Sequence, residues 1–142
     1  MIILDNQTDT KIKTDILEEI VKFLSITKDI ELLIVNNNII KKINFEYRGI
    51  DKETDVLSFP LTGNIKYTPL GSIIISIDKA KEFSNILKHT LEQEVILLFI
   101  HGLLHLLGFD HEIDNGEMRE KEKEIISFFN LPKSLIIRTQ GV

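Results

Sequence analysis

The most hydrophobic run of the chain, residues 95–107, constrains the fold more than any other stretch. It is too short to span a bilayer, and it contains His101 and His105, so it predicts a buried helix rather than a membrane segment. Thr90-x-x-Gln93 resembles a capping box and predicts where this helix begins. Gly108 predicts its end, because glycine readily adopts the left-handed conformation that follows a last helical turn.

The remaining segments mix strand and helix patterns along the chain. Short apolar runs predict four strands, at residues 2–4, 30–35, 56–59 and 71–77. Apolar residues at helical spacing predict further helices at residues 14–25, 37–47 and 78–87, the last of these capped by Asp78. A final helix is expected to be capped by Asp114 or Asn115, with its acidic residues on a solvated face. The predicted class is α+β, with a small mixed four-stranded sheet flanked by helices.

Composition narrows the possible function classes. The 142 residues carry no repeat and no Gly/Pro/Ser linker, which predicts one domain over residues 1–142. There is no cysteine, so a metal site must be built from histidine and carboxylate. No signal peptide is visible and we expect a cytoplasmic protein without membrane contact. The net charge of −5 is unusual for a nucleic-acid binder, although contact with phosphate depends on local charge.

The stretch HGLLHLLGFDH, residues 101–111, contains three histidines at the spacing of a metal site. His101 and His105 lie at i and i+4 and project from one face of a helix. The turn at Gly108 then brings His111 back toward them. Three neutral imidazoles can hold one divalent ion at about 2.0–2.1 Å and leave a fourth position open, as catalytic sites do. Such an ion lowers the pKa of coordinated water to about 7, which supplies hydroxide at neutral pH.

The residues around this motif leave several interpretations open. A histidine in an apolar helix is often a core residue bonded to a backbone carbonyl. Gly102 occupies the position at which zinc proteases of the HExxH type carry a glutamate, which disfavours peptide hydrolysis, because that base also passes a proton to the amine leaving group. Asp110 is a candidate general base or a partner that orients a histidine ligand. His89 lies outside the motif and is interpreted as a surface or capping residue.

Arg48 is the second candidate site residue. It precedes Gly49 in a polar segment that leads into a predicted strand. A guanidinium near a metal ion can clamp a phosphate with two hydrogen bonds and stabilise charge in a transition state. The alternative is a surface salt bridge with Asp51 or Asp55, and composition alone favours that alternative.

Three stretches resemble motifs of the YbeY family of metal-dependent endoribonucleases, the bacterial rRNA maturation factors: HGLLHLLGFDH, YRG with TDVLSFP, and LGSIIIS. The resemblance covers nearly the whole chain. It implies a single-strand-specific RNase that acts in 16S rRNA 3′-end maturation and ribosome quality control. It also implies zinc bound by His101, His105 and His111, with Arg48 in the cleft.

The implied partners are single-stranded RNA, including rRNA, and the ribosome or ribosomal proteins, while the oligomeric state is left open. Histidine sites also accept nickel or another divalent metal. Two positions depart from the family pattern. Ser72 replaces the usual aspartate after the glycine of its strand motif, and Glu53 stands where proline is common.

Two alternative functions are also compatible with the sequence. A metalloprotease-like hydrolase shares the three-histidine spacing with metzincins, although Gly102 counts against it and Met118 follows too closely to form their methionine turn. A non-catalytic ribosome-associated factor with a structural metal is the other. That alternative predicts a closed metal site and no requirement for Arg48.

Overall fold

The computed structural model describes residues 1–61 and 68–132. Within these ranges the chain forms, in order, β1 (Ile2–Asn6), α1 (Asp15–Phe23), β2 (Ile30–Val35), α2 (Asn37–Arg48), β3 (Val56–Pro60), β4 (Gly71–Ser76), α3 (Ile77–Leu87), α4 (Leu91–Leu106) and α5 (Glu117–Phe128). None of the helices in these ranges has the length and apolar character needed to cross a membrane.

The four strands form one mixed sheet in the order β1-β2-β4-β3. β1 pairs with β2, and β2 with β4, in parallel register, whereas β3 runs antiparallel along β4. The inner strands β2 and β4 are covered on both faces, which explains why their sequences, IELLIV and GSIIIS, are almost continuously apolar. The predicted α+β class and the small mixed sheet are confirmed.

Helices cover both faces of the sheet. Ile73 and Ile75 of β4 belong to a large core that also contains residues of α1, α4 and α5. Ile74 points to the opposite face, as alternation along a strand requires, and packs there with Ile40 of α2. α4, which carries His101 and His105, therefore lies on one side of the sheet. α2, which ends with Arg48, lies on the other side.

The residues that cap α3 and α5 differ in part from the prediction. α3 begins at Ile77 because the Ser76 hydroxyl accepts a hydrogen bond from the Lys79 N–H at 3.2 Å. The Asp78 carboxylate instead accepts from the Asn37 N–H at 2.8 Å and so ties α3 to the start of α2. The residue directly before α5 is Gly116, with φ of +101°, while Asp114, one of the two predicted caps, accepts a hydrogen bond from the Met118 N–H in the first turn of the helix at 3.0 Å.

His89 is not a surface residue, although its N–H does donate to the Ser84 carbonyl at 3.1 Å at the end of α3, as a capping residue does. Its side chain is 1% exposed, and Nε2 lies 2.8 Å from Oε1 of Glu94, whose side chain is fully buried. The surface interpretation failed because the partner lies one turn into the next helix, α4, where a carboxylate at an interior position offers the imidazole a buried hydrogen bond.

Candidate metal centre

α4 carries the first two histidines and is anchored at both ends. The predicted capping box is present: Thr90 Oγ1 accepts from the Gln93 N–H at 3.1 Å, and Gln93 Oε1 accepts from the Thr90 N–H at 2.9 Å. The helix then runs through the core as far as Leu106, with Phe99, Ile100, Leu103 and Leu104 fully buried. Because this helix is held along its length, the positions of His101 and His105 follow from its packing.

Gly102 lies where α4 makes its close contact with β4. A Cβ atom at this position would be 2.9 Å from Cγ2 and 3.3 Å from Cγ1 of Ile73. This is closer than nonbonded carbon atoms normally approach. The position occupied by glutamate in HExxH proteases is therefore packed against the sheet in this chain, with no room for a side chain unless Ile73 moves.

The end of α4 turns the chain back toward the first two histidines. Gly108 has φ of +98°, and its N–H donates to the His105 carbonyl at 3.0 Å while the Phe109 N–H donates to the Leu104 carbonyl at 3.0 Å. This is the Schellman arrangement, which favours glycine at the left-handed position. Asp110 then accepts a hydrogen bond from the Glu112 N–H at 3.0 Å through Oδ1, which shapes the turn that contains His111.

These elements bring the three imidazoles together, as the spacing predicts. One nitrogen from each of His101, His105 and His111 lies within 4.8 Å of the other two. The ring centroids are 4.8 Å apart for His101 and His105, 5.3 Å for His101 and His111, and 5.8 Å for His105 and His111. No other group of histidine and acidic side chains with this geometry occurs in residues 1–61 and 68–132.

The nitrogen atoms of this cluster fit a bound cation. Nε2 of His101 and Nε2 of His105 face each other at 3.2 Å. Between two neutral rings, only one of these nitrogen atoms can donate a proton to the other. Nδ1 of His111 is buried and has no hydrogen-bond partner among the residues that the structure describes, although buried polar atoms are rarely left unpaired. A divalent ion that binds imidazole nitrogen would take one nitrogen from each of the three rings.

The environment of His105 favours the neutral form that a metal ligand needs. Its pKa is lowered, chiefly by burial and then by the neighbouring His101, with a smaller contribution from His111. A hydrogen bond to the backbone of Phe109 and the charge of Asp110 act in the opposite direction. The imidazole therefore stays unprotonated below the pH at which a free histidine would gain its charge.

Glu122 contacts the cluster from α5, and the sequence interpretation missed it. It is 3% exposed, and its Oε1 lies 3.0 Å from Nδ1 of His101. The prediction that the acidic residues of this helix form a solvated face is thus wrong at this position. A sequence signal was present: Glu122 lies four residues after Met118 and three before Ile125, within the helix's own apolar stripe.

Arg48 lies at the C-terminus of α2, and Gly49, with φ of +70°, ends the helix directly after it. One guanidinium nitrogen donates to the Ser58 carbonyl at 3.1 Å, and Cζ lies 5.4 Å from the centroid of the Phe59 ring. Asp51 is one of the two predicted ion-pair partners of Arg48. Its Oδ1 lies 4.0 Å from Nζ of Lys41, with which it forms a salt bridge. The side chain is therefore held against the edge strand β3.

Arg48 and the three histidines line one open cleft between β3 and the end of α4. Asp55, Asp110 and Glu112 also line it. The two positions that depart from the family pattern lie elsewhere: Ser72 is half-buried in β4, opposite Phe59 of β3, and Glu53 is exposed. The cleft thus combines a histidine cluster that could hold a cation, one guanidinium and several carboxylates.

Comparison with known proteins identifies the family. The family model described as Endoribonuclease YbeY matches residues 2–130. Proteins named Endoribonuclease YbeY are 54% identical in Wolinella succinogenes, over 99% of both chains, and 52% identical in Helicobacter pylori strain P12, again over 99% of both. The one from Campylobacter jejuni strain 81-176 is 59% identical over 91% of this chain and 96% of its own.

A solved structure shares the fold. The solution structure of TM1509 from Thermotoga maritima superposes with a TM-score of 0.65 at 29% identity, covering 99% of this chain and 93% of that one. The family match and the relatives extend over both the helix of the histidines and the strands that face it. The chain belongs to the YbeY family of endoribonucleases.

Proposed function

We propose that residues 1–142 form a single-domain, zinc-dependent endoribonuclease that hydrolyses phosphodiester bonds of single-stranded RNA. Its substrate is rRNA, and its role is 16S rRNA 3′-end maturation and ribosome quality control. It acts in the cytoplasm in association with the ribosome or ribosomal proteins. Membership of an endoribonuclease family supports the reaction class. The observation that carries the proposal is the cluster of three imidazoles that shares one cleft with Arg48.

His101, His105 and His111 would hold the ion. Zinc suits a site made of imidazole alone, and nickel or another divalent metal would also fit. When bound, the ion would supply Lewis-acid stabilisation of a phosphate group and would make water more acidic. The lowered pKa of His105 keeps its ring available as a ligand at neutral pH.

Arg48 would bind the phosphate. A guanidinium has five N–H donors in a planar fork, and among the described residues Arg48 uses one of them on the Ser58 carbonyl, which leaves donors for phosphate oxygens. The Phe59 ring and this bond restrict the side chain, so less entropy is lost when substrate binds. A donor fixed in advance next to the reacting group stabilises the negative charge that develops in the transition state.

The packing at Gly102 weighs against a metalloprotease. Such an enzyme needs a base beside the metal to carry a proton to the leaving amine, and the corresponding position in this chain is a glycine packed so closely on Ile73 that a side chain would fit only if Ile73 moved. The open cleft likewise weighs against a structural metal. The His101 side chain is 25% exposed, whereas structural zinc sites are closed by four protein ligands.

The test is cleavage of an end-labelled single-stranded RNA by zinc-loaded protein. His105→Ala, purified in parallel, is the matched control for contaminating nuclease. We expect cleavage by the wild type alone and little cleavage of a duplex with the same sequence. Equal cleavage by both proteins would assign the activity to a contaminant. Stoichiometric zinc without any cleavage, on ribosomal RNA or on ribosomes, would favour a structural metal.

The chemical ends of the products identify the nucleophile. Attack by water leaves no 2′,3′-cyclic phosphate, whereas attack by the RNA 2′-hydroxyl produces one. Replacing the 2′-hydroxyl with hydrogen at the mapped cleavage position separates the two routes further. Under water attack the substituted strand is still cut, and under attack by the hydroxyl it is not.

A further inference from the structure

Glu122 is a buried acid in contact with one member of the histidine cluster. It lies in the apolar stripe of α5, one helical turn after the fully buried Met118, and is itself 3% exposed. A carboxylate removed from water costs several kcal/mol unless a partner compensates it. The partner found here is the imidazole of His101, with Oε1 3.0 Å from Nδ1.

With Glu122 ionised, the contact favours one of the two neutral tautomers of His101. A carboxylate accepts hydrogen bonds and cannot donate one, so the short contact is favourable only if Nδ1 is protonated. In a neutral ring the lone pair is then on Nε2. Nε2 is the atom that faces Nε2 of His105 at 3.2 Å in the centre of the cluster.

We propose that Glu122 is a positioning residue for the metal centre: it holds His101 in the tautomer and orientation that present Nε2 to the ion. This inference rests on the metal site of the proposed function. Partners of this kind fix the ring and increase the basicity of the ligating nitrogen, and their loss typically weakens metal affinity about 10–100-fold. Asp110, considered from the sequence for this role, instead accepts a hydrogen bond from the Glu112 N–H.

The fold keeps Glu122 in place through the segment that also carries His111. Asp114 accepts hydrogen bonds from the N–H groups of Gly116 and Met118, at 2.8 Å and 3.0 Å, and so fixes the start of α5 directly after the His111 turn. Glu122 follows Met118 by one turn on the same face. One short segment thus supplies a histidine of the cluster and the carboxylate that orients another.

The chain offers a matched control. Glu94 is a second buried carboxylate that contacts an imidazole, with Oε1 2.8 Å from Nε2 of His89. This pair lies outside the cleft that contains Arg48 and the three histidines. Glu122→Gln and Glu94→Gln therefore make the same chemical change to two buried Glu–His pairs, and only the first pair contains a proposed metal ligand.

The first measurement is zinc affinity, by competition with a chromophoric chelator. We expect Glu122→Gln to raise the Kd about 10–100-fold and Glu94→Gln to leave it within twofold of wild type. Equal affinity of wild type and Glu122→Gln would overturn the inference, as would an equal loss in both variants, since that would indicate a general effect of removing a buried acid. Failure of the wild type to bind zinc would instead refute the proposed function.

The second measurement needs no metal, and its decisive spectrum is that of the wild type. Long-range ¹H–¹⁵N correlation spectra of the metal-free wild type report the tautomer of each neutral histidine. We expect His101 to carry its proton on Nδ1 at neutral pH, and Glu122→Gln to shift part of the population to Nε2–H, because an amide can either donate or accept. A wild-type ring protonated on Nε2 alone would contradict the assignment even if Glu122→Gln failed to fold.

Discussion

Replacing Gly102 with alanine tests the contact between α4 and β4 that positions the first two histidines. Inside a helix this substitution normally stabilises a protein by about 1 kcal/mol. Here the new methyl group would lie 2.9 Å from Cγ2 and 3.3 Å from Cγ1 of Ile73, a side chain that is fully buried. Overpacking a dense core costs about 1–3 kcal/mol. The two effects together predict a net loss of about 1 kcal/mol, so the sign of the usual glycine-to-alanine effect is reversed.

For a domain of this size, that loss corresponds to a decrease in Tm of roughly 3–4 °C. Thermal unfolding followed by circular dichroism, with chelator present so that metal binding does not contribute, measures it. Ile73→Ala removes the atoms that the new methyl would meet. In that background, compared by urea unfolding, Gly102→Ala should be neutral or stabilising. A higher Tm for Gly102→Ala in the wild-type background would refute the close contact, and so would an equal loss of stability in both backgrounds.

Three further predictions concern the cleft and its surroundings. Arg48→Ala should retain zinc but reduce single-turnover RNA cleavage by about 10²-fold or more; an unchanged rate would remove Arg48 from the site. The pKa of His105 is lowered from 6.5. Protonation of this ligand should therefore weaken zinc binding only as the pH falls below 6.5. Chelator competition between about pH 8 and pH 5 measures the zinc affinity, and a constant affinity over this range would contradict the prediction. The N–H groups of Gly116 and Met118 donate to the Asp114 carboxylate and hold its pKa below 3.8. The ionised carboxylate therefore stabilises the fold above pH 3.8, and this stabilisation is lost as the pH falls through the lowered pKa. Urea unfolding should show that Asp114→Ala is less stable than wild type near pH 7 and that this difference in stability shrinks below about pH 4. A difference that stays constant with pH would contradict the prediction.

The parts of the fold that depend on local sequence were predictable. The bounds of β2 match the prediction at both ends, because a short, continuously apolar run has few alternatives. The capping box at Thr90 and the turn at Gly108 involve residues within a few positions of each other, so their hydrogen bonds can be inferred from spacing. The meeting of His101, His105 and His111 follows from those two features, although their role as metal ligands stays a prediction.

The features that were missed depend on contacts between elements. Glu122 is buried in contact with His101, 21 residues earlier. The Asp78 carboxylate bonds outside its own helix because the Asn37 N–H, 41 residues away, is within reach. Helical periodicity cannot reveal such partners. It does reveal a charged residue within an apolar stripe, which was the available signal for Glu122. The contact at Gly102 had a similar signal, since a glycine inside a long helix often marks close packing.

The measurement that tests the central claim most directly is reconstitution of RNA cleavage by metal. The protein is stripped of metal with chelator, zinc is returned in fractions of an equivalent, and the cleavage rate on single-stranded RNA is followed against bound zinc. The three-histidine site predicts no activity without metal, a linear recovery that stops at one zinc per chain, and no recovery in His105→Ala. Full activity after stripping, or recovery in the variant equal to that of the wild type, would contradict the account.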